Sequence, residues 1–393
     1  MIRLAIVSSH PIQYNAPFFA ELAKQKGIQL KVFYSWQGPV NQRDPGFNQL
    51  VTWDIPLLEG YDYEFVNNRA KNPGSHHFSG LDNPEIIKKI KDWKANALLV
   101  YGWAFKTHLK VIRHFHKRIP IFFRGDSTQI GVGNKLRFII RSMVLKWVYQ
   151  HVDYVFYPGT YSKEYFVQNG VMESQLLHIP HCVDNERFSG EHGKYESQAK
   201  QIRHSLGITD ESLVVLFSGK LMRIKQPEML LDAVIQANEK KNYPHVQLVF
   251  VGTGPLEKIL KKKSEHLTFV HFLGFKNQTE MPIMYRIGDV SVLPSISETW
   301  GLAVNEAMAC KRSVWVSDKV GCAPDLIEPG VTGEIISAVD LNSLIKVIDK
   351  YRCQPKKVME MNQAAFKKIQ DWSTTIAANK VAKYMKMKIE VLD

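Results

Sequence analysis

Residues 289–316 read DVSVLPSISETWGLAVNEAMACKRSVWV. A β-branched apolar run at 289–293 is followed by a polar loop, by helical spacing at 302–310 and by a second apolar run at 313–316. Strands that alternate with helices in this way indicate a parallel sheet that is covered on both faces. The stretch therefore predicts one strand–helix–strand unit of an α/β domain.

The same alternation runs along both halves of the chain. Predicted strands lie at 2–7, 29–34, 97–101, 120–123, 154–157, 176–179, 213–217, 246–251, 267–272, 289–293, 313–316 and 334–336. Predicted helices lie between them at 16–26, 84–94, 105–116, 228–240, 256–263, 302–310 and 341–353. The sequence thus predicts two tandem Rossmann-like, doubly wound domains. Open parallel sheets bind ligands at the carboxyl ends of their strands, so we expect two such edges to face a central cleft.

The length of 393 residues also favours two domains. We predict an N-terminal domain at 1–190 and a C-terminal domain at 191–370, with the polar stretch 185–201 as the linker. The weakly periodic region 35–94 is too long for an idle loop, which favours a functional role for it.

The composition indicates a globular protein with a polyanionic partner. The net charge is +13, of which residues 1–190 carry +8 and the remainder +5. Nucleic acid, an anionic membrane surface and a phosphorylated substrate all fit this charge. The four cysteines lack zinc-site spacing, the N-terminus reads as a strand instead of a signal peptide, and no apolar stretch approaches about 20 residues. These features favour a cytoplasmic location.

The loop and helix of the opening stretch carry the chemistry. Free backbone N–H groups at a helix start near Gly301 form an anion site, and a glycine there lets a phosphate approach the main chain. Glu306 lies about 7 Å further along that helix, which suits a carboxylate that binds both ribose hydroxyls of a nucleotide. Glu298, in the loop, would then face the sugar.

This Glu298-to-Glu306 pattern resembles the hallmark of retaining GT-B glycosyltransferases of family 4, the glycosyl transferases group 1 type. The resemblance implies that Glu298 contacts the donor sugar and that Glu306 binds the ribose. Lys220 and Lys225 resemble the basic pair that contacts the donor diphosphate in that family, and two cations there would stabilise the leaving group in place of a metal. The sequence has no Asp-X-Asp metal motif, and we expect neither a metal nor another cofactor.

The resemblance extends to other segments. It makes Glu298, Lys225 and Lys220 the predicted catalytic residues. The remaining predicted donor-binding residues are Glu306, Gly301, Trp300, Leu302, Gly219, Gly252, Gly274 and Phe275. Residues 179–188 are similar to the family's interdomain hinge, although Cys182 replaces the usual Gly. Residues 371–393 resemble the C-terminal helix that crosses back onto the N-terminal domain.

The acceptor side is less well defined, because SSHPIQYNAPFF at 8–19 lacks the Gly-Gly loop of many relatives. Four residues that follow predicted strands are candidates to contact the acceptor: His10, Gln13, Arg124 and Asp126. A capping or packing role for the first two, and an internal Arg–Asp pair for the last two, remain open.

One basic amphipathic helix is predicted at 134–149. Its apolar stripe consists of Leu136, Ile140, Met143, Val144 and Trp147. Its basic flanks consist of Lys135 and Lys146 on one side and of Arg137 and Arg141 on the other. Such a helix could rest on an anionic membrane, and core packing with snorkelling basic flanks is the favoured alternative.

The sequence therefore predicts a metal-independent, retaining glycosyltransferase. We expect it to move a sugar from a nucleotide sugar to a saccharide or lipid-linked saccharide, in cell-surface polysaccharide biosynthesis, at the inner face of the cytoplasmic membrane if it contacts lipid. The departing phosphate itself could accept the proton of the acceptor hydroxyl. Two alternatives stay open: a sugar-nucleotide epimerase of the same architecture, and a non-catalytic basic protein that binds membranes or nucleic acid. As an enzyme, it needs no nucleic acid partner.

Overall fold

The computed structural model describes residues 1–38, 43–44, 49–129, 135–240 and 243–389, without the side chains of 43–44, 49–50 and 135–140. The chain divides into two compact units. Unit 1 comprises Met1–Asn41, Pro56–Cys182 and Ser373–Asp393, and unit 2 comprises Gln42–Ile55 and Val183–Trp372. Within unit 2, the side-chain amide of Asn277 donates to the Thr52 carbonyl at 2.7 Å. Thr52 is thus held by unit 2, although the chain before and after 42–55 is assigned to unit 1.

The described part of unit 1 contains a parallel sheet in the order β5-β2-β1-β6-β7-β8-β9. Its strands are β1 (Ile2–Ser8), β2 (Ile28–Tyr34), β5 (Asp62–Phe65), β6 (Ala97–Tyr101), β7 (Ile121–Arg124), β8 (Tyr154–Tyr157) and β9 (Leu176–His178). Two short antiparallel strands that are assigned to unit 2, β3 (Arg43–Asp44) and β4 (Gln49–Leu50), precede β5 in the chain. The pattern missed β5, because this edge strand is exposed or only half-buried.

Helices cover both faces of this sheet. They are α1 (Asn15–Ala23), α2 (Ile86–Asp92), α3 (Lys106–Phe115), α4 (Lys135–Tyr149), α5 (Thr160–Gln168) and α15 (Thr374–Ile389). Helix α15 packs beside α1, and its buried residues Ala377, Ala378, Val381 and Met385 join the core formed by the strands of unit 1. The end of the described chain therefore completes the core at its beginning.

The described part of unit 2 contains a parallel sheet in the order β12-β11-β10-β13-β14-β15. Its strands are β10 (Leu213–Ser218), β11 (Val246–Val251), β12 (Val270–Phe272), β13 (Val290–Leu293), β14 (Ser313–Ser317) and β15 (Gly333–Ile336). Its helices are α6 (Asn185–Ser189), α7 (His192–Ser205), α8 (Pro227–Asn238), α9 (Glu257–Lys263), α10 (Met281–Ile287), α11 (Leu302–Ala309), α12 (Ala323–Leu326), α13 (Leu341–Arg352) and α14 (Pro355–Ile369). Two doubly wound α/β units are present, so the predicted fold class is confirmed.

The predicted linker at 185–201 is wrong as an irregular segment. It forms α6 and most of α7, and the Asp184 carboxylate caps α6 by accepting from the Arg187 backbone N–H at 3.1 Å. Phe188 and Ala199 are buried in the core of unit 2. The polar composition of this stretch reflects the exposed faces of two helices, whose few apolar residues suffice to anchor them.

Helix α4 corrects the favoured interpretation of the amphipathic stripe. Met143, Val144 and Trp147 are 67%, 41% and 41% exposed, whereas Leu145 and Val148 face the core. The predicted stripe therefore points away from the core at these positions. The side chains of Leu136 and Ile140 lie outside the described residues. In the described part of the chain, we find no helix with the length and apolar character needed to span a bilayer.

Candidate functional site

Backbone hydrogen bonds of glycine residues join the loops at the carboxyl ends of the unit 2 strands. The Gly219 N–H donates to the Val251 carbonyl at 2.9 Å, and the Gly252 N–H donates to the Gly274 carbonyl at 2.7 Å. Gly252 has φ +130°, and a Cβ there would lie 2.1 Å from the Gly219 carbonyl oxygen. A side chain at position 252 would therefore push the loop at Gly252 away from the loop at Gly219. Three predicted donor-binding glycines, Gly219, Gly252 and Gly274, therefore lie side by side in this structure.

The predicted basic pair lies next to these loops. Lys225 ends a short 3-10 turn, Arg223–Lys225, and its half-buried ammonium contacts the Glu298 carboxylate. Burial, and next the charge of Lys220, lower the pKa of Lys225 to about 8, while the contact with Glu298 acts in the opposite direction. Because the charge of Lys220 lowers the pKa of Lys225, the two side chains interact electrostatically. The structure thus brings together Lys220, Lys225 and Glu298.

Gln226 is a site residue that the sequence did not reveal. It has a left-handed backbone, with φ +51°, directly before the proline that begins α8. Its side-chain amide donates to the carbonyls of Pro294 and Ala338, at 2.8 and 2.7 Å. Gln226 therefore ties the turn that carries Lys225 to the loop that leads to Glu298. A glutamine before a proline gives no recognisable signal for such a role.

The loop that carries Glu298 is fixed by its main chain. The Glu298 N–H donates to the Lys319 carbonyl at 3.1 Å, and the Gly321 N–H donates to the Glu298 carbonyl at 3.0 Å. A Cβ on Gly321 would lie 1.9 Å from the Thr299 carbonyl oxygen, so this close approach requires glycine. The backbone of Glu298 is thus held at both its N–H and its carbonyl, and its side chain is the adaptable part.

Helix α11 begins where the sequence predicted, at Leu302, immediately after Gly301. Gly301 has φ +98°, and a Cβ there would lie 3.0 Å from side-chain atoms of Leu293 and Val320. The preceding Trp300 is buried, donates its indole N–H to Asn305 at 2.9 Å and stacks on Trp372 at 5.2 Å. The Trp300 side chain therefore packs in unit 2, which leaves only its main chain for the predicted donor contact. Leu302 and Phe275 are half-buried.

Glu306 lies in the second turn of α11. Its carboxylate has a hydrogen-bond partner that the sequence did not indicate. The hydroxyl of buried Tyr285, on α10, donates to a Glu306 carboxylate oxygen at 2.7 Å. Burial raises the pKa of Glu306, against the effects of this hydrogen bond and of the Arg187 charge. One carboxylate oxygen is thus oriented by Tyr285. Tyr285 falls on the apolar face of a short helix, where a tyrosine looks like any other core residue.

The acceptor candidates lie in unit 1. His10 follows β1, accepts or donates a hydrogen bond with the Ser9 hydroxyl at 3.0 Å and packs edge-on against the Trp36 ring. Burial, and next the charge of His76, lower the pKa of His10 to about 4, so this imidazole is neutral at pH 7. Gln13 is half-buried in the turn before α1. Neutral His10 can both donate and accept a hydrogen bond.

Arg124 has a role in holding the main chain. Its guanidinium donates to the carbonyls of Ile179 and Pro180, at 2.9 and 3.2 Å. Burial, and next the charge of Asp126, raise the pKa of Tyr14, which places Asp126 near the turn after β1. The structure therefore gathers Asp126 and Arg124 at the carboxyl ends of β1 and β7. Two of the donors of Arg124 are already used by the segment that follows β9.

No group of three His, Cys, Asp or Glu side chains converges in a metal-binding arrangement in the residues that the structure describes. Metal independence stays a prediction.

The comparisons with known proteins place the second half of the chain. Residues 198–368 match the sequence model of the family described as glycosyl transferases group 1. These residues are thus similar to a group 1 glycosyltransferase domain. This domain contains both lysines, both glutamates and all the glycines discussed above, so the predicted family resemblance is confirmed.

Curated relatives match over part of their length. A sulfoquinovosyl transferase of Arabidopsis thaliana is 25% identical over 67% of this chain and 51% of its own length. A GDP-mannose-dependent phosphatidylinositol monomannoside mannosyltransferase of Mycolicibacterium smegmatis is 25% identical over 56% of this chain and 58% of its own. The chain thus spans about half the length of the curated relatives it matches, and the activity of the whole protein is a matter for proposal.

Solved structures agree over nearly the whole chain. A sucrose-phosphate synthase of Thermosynechococcus elongatus has a TM-score of 0.72 at 18% identity, with 100% of both chains covered. HepE of Anabaena, solved with UDP and glucose, has a TM-score of 0.70 at 17% identity over 98% of this chain and 100% of its own. At such identities the likeness establishes the fold, which is that of GT-B glycosyltransferases.

Proposed function

We propose that this protein is a retaining glycosyltransferase. It transfers a sugar from a nucleotide sugar to a saccharide or lipid-linked saccharide, without a metal ion, in cell-surface polysaccharide biosynthesis. One observation carries the proposal: Lys220, Lys225, the start of α11 and Glu306 all belong to unit 2, next to glycine loops at the carboxyl ends of its strands. An anion site of this kind, with a carboxylate one helical turn away, suits a nucleoside diphosphate.

The chemistry follows from charge. When the bond from the sugar to the diphosphate breaks, the diphosphate gains negative charge, and prearranged cations and N–H dipoles stabilise that charge most in a site with little water. Lys225 is half-buried and Lys220 adds a second positive charge near it. Glu306 holds the ribose and Glu298 holds the sugar. In retention, the acceptor hydroxyl attacks from the face that the diphosphate leaves, and a diphosphate oxygen can take the proton.

A donor panel tests this function. Thermal unfolding is measured with UDP-, GDP- and ADP-sugars in the presence of EDTA, and we expect one nucleotide class to raise Tm by several degrees, because a ligand that binds only the folded state stabilises it. Transfer to a saccharide acceptor, followed by NMR, should give a product with the anomeric configuration of the donor. An epimerised nucleotide sugar without acceptor would instead indicate the epimerase, and an inverted anomer would exclude retention.

We also propose that α3 and α4 bring the protein to an anionic membrane. Residues 101–150 contain ten Lys and Arg residues but a single acidic one, Asp126. On the outer side of α4 lie exposed Met143, Val144 and Trp147, and the Arg113 guanidinium of α3 lies 5.7 Å from the Trp147 ring centroid. Basic side chains around exposed apolar ones favour the lipid headgroup region over a purely polar polyanion.

Vesicle co-sedimentation tests the membrane proposal. Wild type should bind vesicles that contain phosphatidylglycerol and leave pure phosphatidylcholine vesicles unbound, since each basic residue near an anionic surface contributes about 1 kcal/mol. The double variant Met143→Ser/Trp147→Ser should bind roughly tenfold more weakly, because it cannot bury apolar area. Met359→Ser, which changes an equally exposed methionine of unit 2, is the matched control. Equal binding by both variants would refute the proposal.

A further inference from the structure

Lys225 has an anionic partner within unit 2. Its ammonium contacts the Glu298 carboxylate, and both side chains are largely buried, at 23% and 18% exposure. Lys225 is also the residue that we assign to the donor diphosphate, and Glu298 the one that we assign to the donor sugar. The two residues to which we assign separate tasks in the reaction thus contact each other in this structure.

The backbone around the pair is fixed, so exchange of partners falls to the side chains. The Ile296 N–H donates to the Ile224 carbonyl at 2.9 Å, which joins the loop before Glu298 directly to the turn before Lys225. The hydrogen bond from Gln226 to the Pro294 carbonyl holds the same two segments together, and its second hydrogen bond reaches Ala338, after β15. The approach of a diphosphate to Lys225 therefore draws on movement of the two side chains, and not on moving the turn away from the loop.

We propose that Glu298 is a resident counter-ion of Lys225, which the donor diphosphate displaces and which makes the site select donor over spent nucleotide. The inference rests on the proposed function. When a nucleotide sugar binds, Lys225 turns to the diphosphate, and the displaced carboxylate accepts hydrogen bonds from the sugar hydroxyls. When the sugar has left, the carboxylate faces a diphosphate with no hydroxyl to bind.

The consequence is an asymmetry in binding. A nucleoside diphosphate must break the ion pair, and it leaves a partly buried carboxylate without a partner and near its own negative charge, which opposes binding. A nucleotide sugar breaks the same pair but supplies new donors to the carboxylate. Glu298 therefore promotes release of the product and protects the enzyme from inhibition by it.

Removal of the charge at Glu298 tests the exchange. Calorimetric titration with UDP, GDP and ADP identifies the diphosphate that wild type binds, and the matching nucleotide sugar gives the second Kd. In Glu298→Gln, the Kd of the diphosphate should fall roughly tenfold, because the competing carboxylate charge is gone, while the Kd of the nucleotide sugar rises. Glu328→Gln, which removes an exposed carboxylate of unit 2, should change neither constant.

A double-mutant cycle separates exchange from a purely structural effect. In a Lys225→Ala background, Glu298→Gln should no longer tighten diphosphate binding through its release of Lys225, so the two substitutions should be strongly coupled. Diphosphate affinity that is unchanged or weaker in Glu298→Gln would overturn the exchange and leave the proposed function standing. Failure of wild type to bind any of the three diphosphates would overturn both.

Discussion

Replacing Lys225 with alanine is expected to lower kcat for sugar transfer by a factor on the order of 10²–10³. This is the usual effect of removing one prearranged donor that stabilises developing negative charge. The Ile296 and Gln226 hydrogen bonds hold the turn that carries Lys225 beside the Glu298 loop, so its ammonium is such a prearranged donor. Steady-state kinetics measure the effect. Lys262→Ala, on the exposed face of α9, removes the same charge from unit 2 and should leave kcat unchanged.

The pH dependence of binding gives an independent measurement on the same residue. The pKa of Lys225 is lowered to about 8, so its side chain carries a positive charge below that pH and loses this charge above it. Diphosphate affinity should therefore be highest below pH 8 and should fall above it, by at most tenfold per pH unit. Lys225→Arg, which stays charged, should remove this decline. An unchanged kcat in Lys225→Ala, or the same pH profile in Lys225→Arg, would exclude Lys225 from the donor site.

Replacing Glu306 with alanine should weaken nucleotide binding by roughly a hundredfold. A carboxylate that accepts two ribose hydroxyls makes two charge-assisted hydrogen bonds, each of which contributes about 1.5–3 kcal/mol. Burial next to α10 excludes the water that would otherwise replace them, and the raised pKa of Glu306 reports that burial. Calorimetric titration with the nucleoside diphosphate measures the loss. Wild-type affinity in this variant would mean that the nucleotide binds elsewhere.

Tyr285→Phe is a milder change at the same carboxylate. It keeps the Glu306 carboxylate but removes the 2.7 Å hydrogen bond that orients it, so affinity should fall by a few-fold only. A loss as large as that of Glu306→Ala would mean that Tyr285 contacts the ligand itself.

The parallel sheets could be predicted because every central strand is a short apolar run buried on both faces, as in 97–101 and 246–251. The predicted helix start at Leu302 was correct for a physical reason: Gly301 has the left-handed backbone that precedes the helix. The edge strand β5 gave no such pattern. The polar composition of α7 predicts a linker and is misleading, because a solvated helix with little apolar surface resembles a loop in composition.

The candidate site was predictable at the level of residue types but not of contacts. A Glu–seven residues–Glu pattern points to Glu298 and Glu306, whatever surrounds them. Their partners, Lys225 and Tyr285, are 73 and 21 residues away in the sequence, and only the fold brings them together. Gln226 and Tyr285 belong to no sequence motif. Each acts through a single side chain, whose contacts depend on how the fold positions the main chain around it. The side chain of Trp300, within the motif, serves packing.

Helix α15 has a consequence for the order in which the chain matures. Unit 1 begins with Met1, but Ala377, Ala378, Val381 and Met385 of α15 fill part of its core. A nascent chain that has been synthesised only as far as Trp372 contains every residue of unit 2 but leaves the apolar side of α1 open to water. The core of unit 2 is therefore complete without α15, whereas the core of unit 1 cannot be completed until α15 is present.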